Sequence, residues 1–461
     1  MAFRSFLAGA VTALALAAGP AAAQSLGDTL AAAYRNSNLL EQNRALLRAA
    51  DEDVAVAVAQ LRPVLNFIAD AQYRYQPVGS DSLSLSFSLA AEVTLIDFGR
   101  GALAREAAKA QVLATRQALV DVEQEVLREA INAYLDVRTA SETVSLRRAT
   151  VRVIGQELEA AQQRFELNEV TRTDVSLAEA RLAAARSALA AAEGDLTAAR
   201  EAYKLATGTT PGQLRPPPAL PRTAASLQAA QDIARRTHPG ILQAQHEVTA
   251  AEFNAERVAR QRQGSVSGTA SLGRSFSNQA SPSTGRSNQT DFSAGVRYTR
   301  PLYQGGQLSA LTRQANAQRD ATRAGLHQSV ARVLQNVAVA WANVDVARAR
   351  IAASRQQVRA SESAFEGTRE EARLGVRTTL DVLNSETDLL EARTSLLEAQ
   401  AAEQRATYNL LATMGLLTVE HLGLGIPTYD PEAYYNAVRN APVTSSQGEA
   451  LDRVLRAIGR D

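Results

Sequence analysis

The chain has 461 residues, enough for two or three ordinary domains, and a formal net charge of +1 that gives no argument for a nucleic-acid partner. Cysteine is absent, which excludes structural disulfides, thiolate metal sites, a cysteine nucleophile and a lipid-modified N-terminal cysteine. The basic residues are almost all arginine, with Lys109 and Lys204 as the exceptions.

The N-terminus, "MAFRSFLAGAVTALALAAGPAAAQ", has Arg4, an apolar stretch from Phe6 to about Ala18, and then Ala21-Ala22-Ala23. This is the layout of a secretory signal peptide, expected over 1–23 with cleavage after Ala23; an uncleaved anchor helix is the alternative, and the small-residue A-x-A ending favours cleavage. The remainder contains no apolar run of ~18 residues, so no transmembrane helix is expected. Entry into a membrane then requires strands.

Residues 24–62 read as helix, from Leu30 to Arg62, stopped by Pro63. A hairpin is expected over 63–98. Its first strand places Leu65, Phe67, Ala69, Ala71, Tyr73 and Tyr75 on one face. Its second, "SLSLSFSLAAEVTL", alternates serine with Leu83, Leu85, Phe87 and Leu89. Gly99 and Gly101 mark a switch from strand to helix. Helices are expected from Ala102 to about Leu167 and from Val175 to Ala206 within 99–207, joined by a turn near 168–174. A Pro- and Gly-rich linker covers 208–226. The same order then returns: helix over 227–263 as one element from Leu227 to Gln263, and a hairpin over 264–305 with strands Val266–Phe276 and Phe292–Leu302. A switch at Gly305 and Gly306 follows, then helices Gln307–Leu374 and Leu380–Leu411 within 306–415, turning near 375–381. A tail, 416–461, follows.

The chain is thus written twice. At an offset of 207, Asp174-Val175 falls on Asp381-Val382, Glu179 on Glu386, Arg186 on Arg393, Gly99 on Gly306 and Gly208 on Gly415. Upstream of the strands the offset is 202, with Leu39-Leu40 on Ile241-Leu242. A duplication of this size predicts pseudo-symmetry. At 1.5 Å per residue the long helix of each half spans roughly 100 Å, its return helix about 45 Å and the opening helix about 50 Å. Two short helices stacked end to end would match one long one.

Four strands of this length suit a tilted bilayer crossing. A spanning sheet must close, and closed membrane barrels have at least about eight strands. Four cannot close, so several chains would share one barrel, with apolar residues toward lipid and serines toward the lumen. Tyr73, Tyr75, Phe276 and Tyr298 are candidates for interfacial aromatic belts. An ordinary long coiled coil and a water-soluble sandwich are the competing architectures.

The layout resembles the TolC family of outer-membrane channel proteins. The resemblance rests on the duplication, on "LIDFGR" and "LYQGG" after the strands, and on "RLGVRTTLDVLNSETDLLEARTSLLEAQ" with its first-half counterpart. The tail "YDPEAYYNAV" resembles the subgroup serving type I protein secretion. The resemblance implies an α+β membrane protein and a homotrimer with a twelve-stranded barrel in outer-membrane lipid, continuing into a long periplasmic α-helical barrel. It implies a passive channel recruited by a periplasmic adaptor protein and an inner-membrane transporter, of the ABC or another class. The cargo would be secreted protein or, alternatively, drugs and other small molecules. A periplasmic spacer without a pore is the reading of a different class.

The same resemblance places the periplasmic tip at the two helix turns. Asp381 matches an aspartate of the family's constriction ring, and a second ring aspartate corresponds to Asn384 here. Arg377 matches a gate arginine, with Thr173 and Asp174 as its partners across the tip; Ala372 stands where an aromatic partner is expected. Leu167, Val170, Leu374, Gly375 and Val376 resemble the grooves that receive adaptor hairpins. Independently of any family, Asp174 and Asp381 also sit where a helix N-cap belongs, and Gly375 where a helix end favours glycine. His238, His246, His327 and His421 lack metal-ligand spacing. No GxxxxGK[ST] occurs, so no nucleotide site is expected; no Ser/His/Asp arrangement is detectable, and no cofactor or enzymatic activity is expected.

Overall fold

The computed structural model describes residues 24–77, 81–279, 287–440 and 453. The expected signal peptide, the tips of both strand hairpins and most of the residues after 440 lie outside them. The chain divides into two compact units. One comprises Met1–Gln42, Val120–His238 and Ala331–Thr428; the other comprises Asn43–Leu119, Pro239–Val330 and Tyr429–Asp461.

The elements in chain order are α1 (Leu26–Asn36), α2 (Asn38–Ala59), β1 (Val64–Arg74), β2 (Ser82–Ile96), α3 (Arg100–Glu166), α4 (Arg172–Thr207), α5 (Leu227–Thr237) and α6 (Pro239–Ala259). After a 3₁₀ turn come β3 (Ser265–Gln279), β4 (Ser287–Thr299), α7 (Gln307–Arg373), α8 (Thr379–Thr413) and α9 (Pro431–Val438). The duplication holds to the residue: α3 and α7 are both 67 residues long, and α4 and α8 both begin at the 207 offset.

Each opening helix is split rather than continuous. Ser37 is extended, and its hydroxyl accepts from the Leu40 amide to start α2. His238 is extended because the ring of Pro239 disfavours helical backbone in the residue before it. The 11-residue α1 therefore lies against α4. The continuous helix left in each opening segment is α2 or α6, about 33 Å long rather than about 50 Å. At the break, Asn36 Nδ2 donates to the Thr207 carbonyl at 2.9 Å, closing the end of α4. In the repeat, Thr237 Oγ1 donates to the Met414 carbonyl at 2.6 Å.

The first unit has a core of fully buried Tyr134, Tyr203, Leu26, Ile131, Leu410, Leu411 and Met414. The linker is tied into it: Gln24 bridges Leu214 in parallel, and the Tyr134 hydroxyl donates to the Arg215 carbonyl. Tyr203 and Thr29 share a 2.9 Å hydroxyl contact.

The second unit holds the sheet, antiparallel throughout, in the order β1-β2-β3-β4. β4 starts at Ser287 and ends at Thr299, earlier than the expected Phe292–Leu302, so Leu95 lies in a strand while its repeat partner Leu302 does not. The switch into α3 and α7 uses left-handed backbone in both halves. Gly99 (φ 83°) and Gly306 (φ 83°) are equivalent, and Phe98 (φ 56°) takes the place of Gly305 (φ 55°). Gly101 has another role than the one expected. It is already inside α3, where a Cβ would sit 2.1 Å from Leu61 Cδ2 and 2.8 Å from an Asp97 carboxylate oxygen.

The tail docks on the same unit. Arg44 lies over the Tyr429 ring and Arg116 over the Tyr435 ring, at 5.3 and 5.2 Å. The Tyr434 hydroxyl donates to Glu52 at 2.7 Å, and Leu47, Val54 and Val112 form the apolar floor. Asp51 is fully buried beside this clasp, with both carboxylate oxygens lacking a hydrogen-bond partner among the described residues. Burial pushes its carboxyl up to about 6, opposed by Arg116 and assisted by Glu52. The unfolded carboxyl ionises near 4, so between these values the folded protein holds more protons and stability falls as pH rises. Asp51→Asn is expected to stabilise the fold at pH 7.5 by about 3 kcal/mol per chain, read as a higher thermal midpoint. The gain should vanish near pH 4, and a pH-independent difference would refute the assignment.

Candidate functional site

Two regions carry functional geometry, the sheet face and the helix turns. In the sheet, cross-strand pairing aligns whole rows. Phe67, Leu89, Leu272 and Phe292 form one row on one face, and they are 68, 44, 51 and 74 % exposed. The adjoining row toward the helices is Leu65, Ala91, Ala270 and Ala294. Phe67 stacks on Phe87 at 6.4 Å, and Phe87 meets Phe276 edge-on at 6.5 Å. The opposite face carries Ser86, Ser88, Ser271, Ser275, Gln289, Asp291 and Ser293, with Ser271 and Ser293 hydroxyls 2.8 Å apart. Along β2 the serines are the half-buried residues and the leucines the exposed ones. That inverts the pattern of a water-soluble sheet. β1 and β4 each pair on one side only among the described residues. An open edge has no place in hydrocarbon, because each unpaired amide or carbonyl there costs several kcal/mol, roughly.

The two turns are built alike. Thr171 and Thr378 are N-caps, each with a capping box closed by Asp174 or Asp381. Asp381 accepts from the Thr378 amide at 3.0 Å and the Thr378 hydroxyl at 2.8 Å. These hydrogen bonds, first the backbone one, hold its carboxyl below the usual range, with help from Arg377. Asp174 makes the equivalent bonds to Thr171, at 2.9 and 2.8 Å. Both aspartates thus serve the helix start, as expected, but from the third helical position; the N-cap itself is the threonine. Left-handed backbone closes each preceding helix, at Asn168 (φ 61°) in one half and Gly375 (φ 79°) in the other.

Leu167, Leu374 and Val376 are 69, 80 and 72 % exposed, and Val170 is half-buried. Three exposed aliphatic side chains thus stand at the turns with no apolar cover among the described residues. Arg377 does not reach Thr173 or Asp174 within the chain. Its Nε donates to Glu371 at 2.9 Å, a partner invisible in the repeat because Arg164 occupies the equivalent position. Asn384 accepts from Arg181 at 3.0 Å, tying α8 to α4.

One residue near the turns carries no sequence signal beyond its repeat match. Glu386 is buried, accepts from Thr150 at 3.1 Å, and has its carboxyl raised chiefly by burial. It borders an open groove of about 430 Å³ between α3, α7 and α8, flanked by the Arg393–Glu362 ion pair at 2.7 Å.

Comparison with known proteins agrees with this geometry. The family model described as "Outer membrane efflux protein" matches residues 29–209 and 230–416, one match per repeat. The outer membrane efflux protein BepC of Brucella suis is 32 % identical over 423 residues, covering 91 % of each chain. The outer membrane protein TolC of Vibrio cholerae is 27 % identical over 376 residues, covering 79 % of this chain and 84 % of its own. Among solved structures, the Campylobacter jejuni CmeC outer membrane channel superposes with a TM-score of 0.73, covering 91 % of this chain and 90 % of that one; at 13 % identity it speaks for the fold alone. With both repeats matched and the sheet and long helices in place, the chain belongs to the outer membrane efflux protein family, the TolC-type channels of the outer membrane, and is not an enzyme.

Proposed function

We propose that the protein is the passive exit duct of a tripartite export system, with secreted protein as its cargo. Three chains would pool their strands into a twelve-stranded barrel, and their helices would extend it into the periplasm. An inner-membrane transporter would supply the energy through a periplasmic adaptor. The observation that carries this reading is the inverted sheet: a serine-lined face, an exposed apolar face, and open edges on β1 and β4. Lipid suits the apolar face, neighbouring chains suit the edges, and water suits the serines. A spacer without a pore would need none of these.

The protein cargo is supported by the tail, which resembles the type I secretion subgroup. The second reading, small-molecule efflux, is favoured by the efflux name of BepC at 32 % identity. Deletion of the gene separates them. Loss of a secreted protein from the medium supports the first, and drug hypersensitivity with an intact secreted set supports the second. Purified protein that gives no conductance steps in planar bilayers would overturn both.

In this reading the turns form the constriction, with Asp381, Asn384, Arg377, Thr173 and Asp174 at the pore. Leu167, Val170, Leu374, Gly375 and Val376 receive the adaptor. A single acidic ring, Asp381 without a second at Asn384, would draw cations weakly. Arg377→Ala is expected to raise single-channel conductance about twofold or more by freeing the turn from Glu371. Asp174→Ala should act in the same direction and fray the start of α4 by about 1 kcal/mol. Arg373→Ala, which removes a solvent-exposed pair with Glu370, should leave the traces unchanged. Equal conductance in all three would count against a gate held by Arg377 and Asp174.

A further inference from the structure

Among the described residues, one charged side chain stands on the apolar face of the sheet. Arg274 pairs across the strands with Phe87 and Thr290, so its Cβ shares the face of Phe67, Leu272 and Phe292. It is exposed. Its guanidinium turns away from the helices, toward the hairpin tips. Nε donates to Asn288 Oδ1 at 3.0 Å, and the carbon centre lies 5.1 Å over the Phe276 ring. Asn288 and Phe276 are cross-strand partners one row beyond Arg274. The N–H groups on the two terminal nitrogens have no acceptor among the described residues.

Depth follows from the strand. Val266, at the helix end of β3, pairs with Tyr298. About eight residues at ~3.3 Å put Arg274 roughly 26 Å farther along the strand. With a tilt of about 40° that is about 20 Å of depth, against an apolar band about 25 Å tall. Arg274 therefore sits near the band's far edge, and its side chain reaches outward over Phe276 in the manner of a snorkelling cation. In an outer membrane with the helices on the periplasmic side, that edge faces the outer leaflet, whose glycolipids carry phosphate at this level.

We infer that Arg274, held by Asn288 and Phe276, is a binding site for a phosphate group of an outer-leaflet glycolipid. A planar guanidinium whose terminal N–H groups have no acceptor among the described residues takes a phosphate in the bidentate fashion that favours arginine. The shelf of Phe276, Leu272 and Phe292 beside it suits acyl chains. The inference rests on the proposed barrel. For that reason the test uses only preparations that first give conductance steps in planar bilayers, so that failure here counts against the lipid site alone.

The experiment measures co-purification and thermal shift in detergent micelles doped with bis-phosphorylated lipid A. The comparison lipids are dephosphorylated lipid A and phosphatidylglycerol, and inorganic phosphate serves as the free anion. The expected result is retention of bis-phosphorylated lipid A about fivefold or more above the other lipids, with no shift from inorganic phosphate. Arg274→Gln should lose that preference. Arg297→Gln, which removes the same charge from the opposite face of β4, should keep it. Asn288→Ala keeps the charge but removes the brace, and should weaken retention severalfold. Equal retention of phosphorylated and dephosphorylated lipid, equal retention of phosphatidylglycerol, a shift with inorganic phosphate alone, or an Arg274→Gln protein that binds like the parent would each overturn the proposal.

Discussion

Replacing Gly264 with alanine is expected to abolish assembly of the channel in the outer membrane. Gly264 joins the 3₁₀ turn after α6 to β3, with φ 80° and ψ −156°, a region essentially reserved for glycine. A Cβ there would lie 2.2 Å from the Thr299 carbonyl oxygen and 2.9 Å from Arg300 Cα. Both obstacles are backbone at the end of β4, so no side chain can swing aside. The dihedral penalty is about 1–3 kcal/mol. The overlap adds to it, because relief would separate the first residue of β3 from the last of β4, the pair Ser265 and Thr299. The total exceeds about 3 kcal/mol per chain, a large share of an ordinary stability margin. The measurement is the yield of folded protein, as the proposed oligomer, in outer-membrane fractions on unheated gels. Gly295→Ala in β4 is the control, since its Cβ would meet nothing nearer than 3.8 Å. Normal assembly of Gly264→Ala would show that the strand ends tolerate separation.

Much of this architecture is legible in the sequence, for a physical reason. The turns at 168–174 and 375–381 are local, and a threonine followed three residues later by aspartate fixes a helix start by itself. The strand hairpin of the first half is equally plain, because strict serine–leucine alternation leaves one period only. The 207-residue offset then carries each element into the second copy. What stays hidden depends on contacts distant in sequence. The breaks at Ser37 and His238 are set where α1 and α5 end against Thr207 and Met414. Pro239 carries a local signal for the second break, and the polar run Asn36-Ser37-Asn38 a weaker one for the first. Phe98 gives no warning of a left-handed conformation, since the sequence there offers an aromatic where the other half has Gly305. Gly264 looks like a hairpin boundary; the approach of Thr299 that demands it comes from the far end of the hairpin. The tail's seat on Arg44 and Arg116 joins segments from opposite ends of the chain. The partner of Arg377 lies close by, at Glu371, whereas the family resemblance points across the tip to Thr173 and Asp174.

Ala294→Arg and Ser293→Arg, at neighbouring positions in β4, are expected to have opposite outcomes. Ala294 lies between Phe292 and Val296 on the apolar face and pairs with Ala270. It is four residues beyond Thr290, which marks the level of Arg274, and it lies toward the helices, near the middle of the band. An arginine there cannot place its guanidinium at either boundary, and the cost is about 2–4 kcal/mol at mid-depth. In the proposed shared barrel that cost recurs in every chain. The outer-membrane level of Ala294→Arg should fall by about tenfold or more. Ser293 belongs to the other face, where its hydroxyl meets Ser271. In the proposed barrel an arginine there faces the lumen and keeps its water, so it should leave insertion intact while shifting ion selectivity toward anions. The native chain already runs this contrast at Arg297, which sits on the serine-bearing face next to Val296. Equal loss in both variants would mean that neither face meets lipid. Equal tolerance would mean that the sheet does not cross the membrane at this level, and the exposed phenylalanines and leucines would need some other cover.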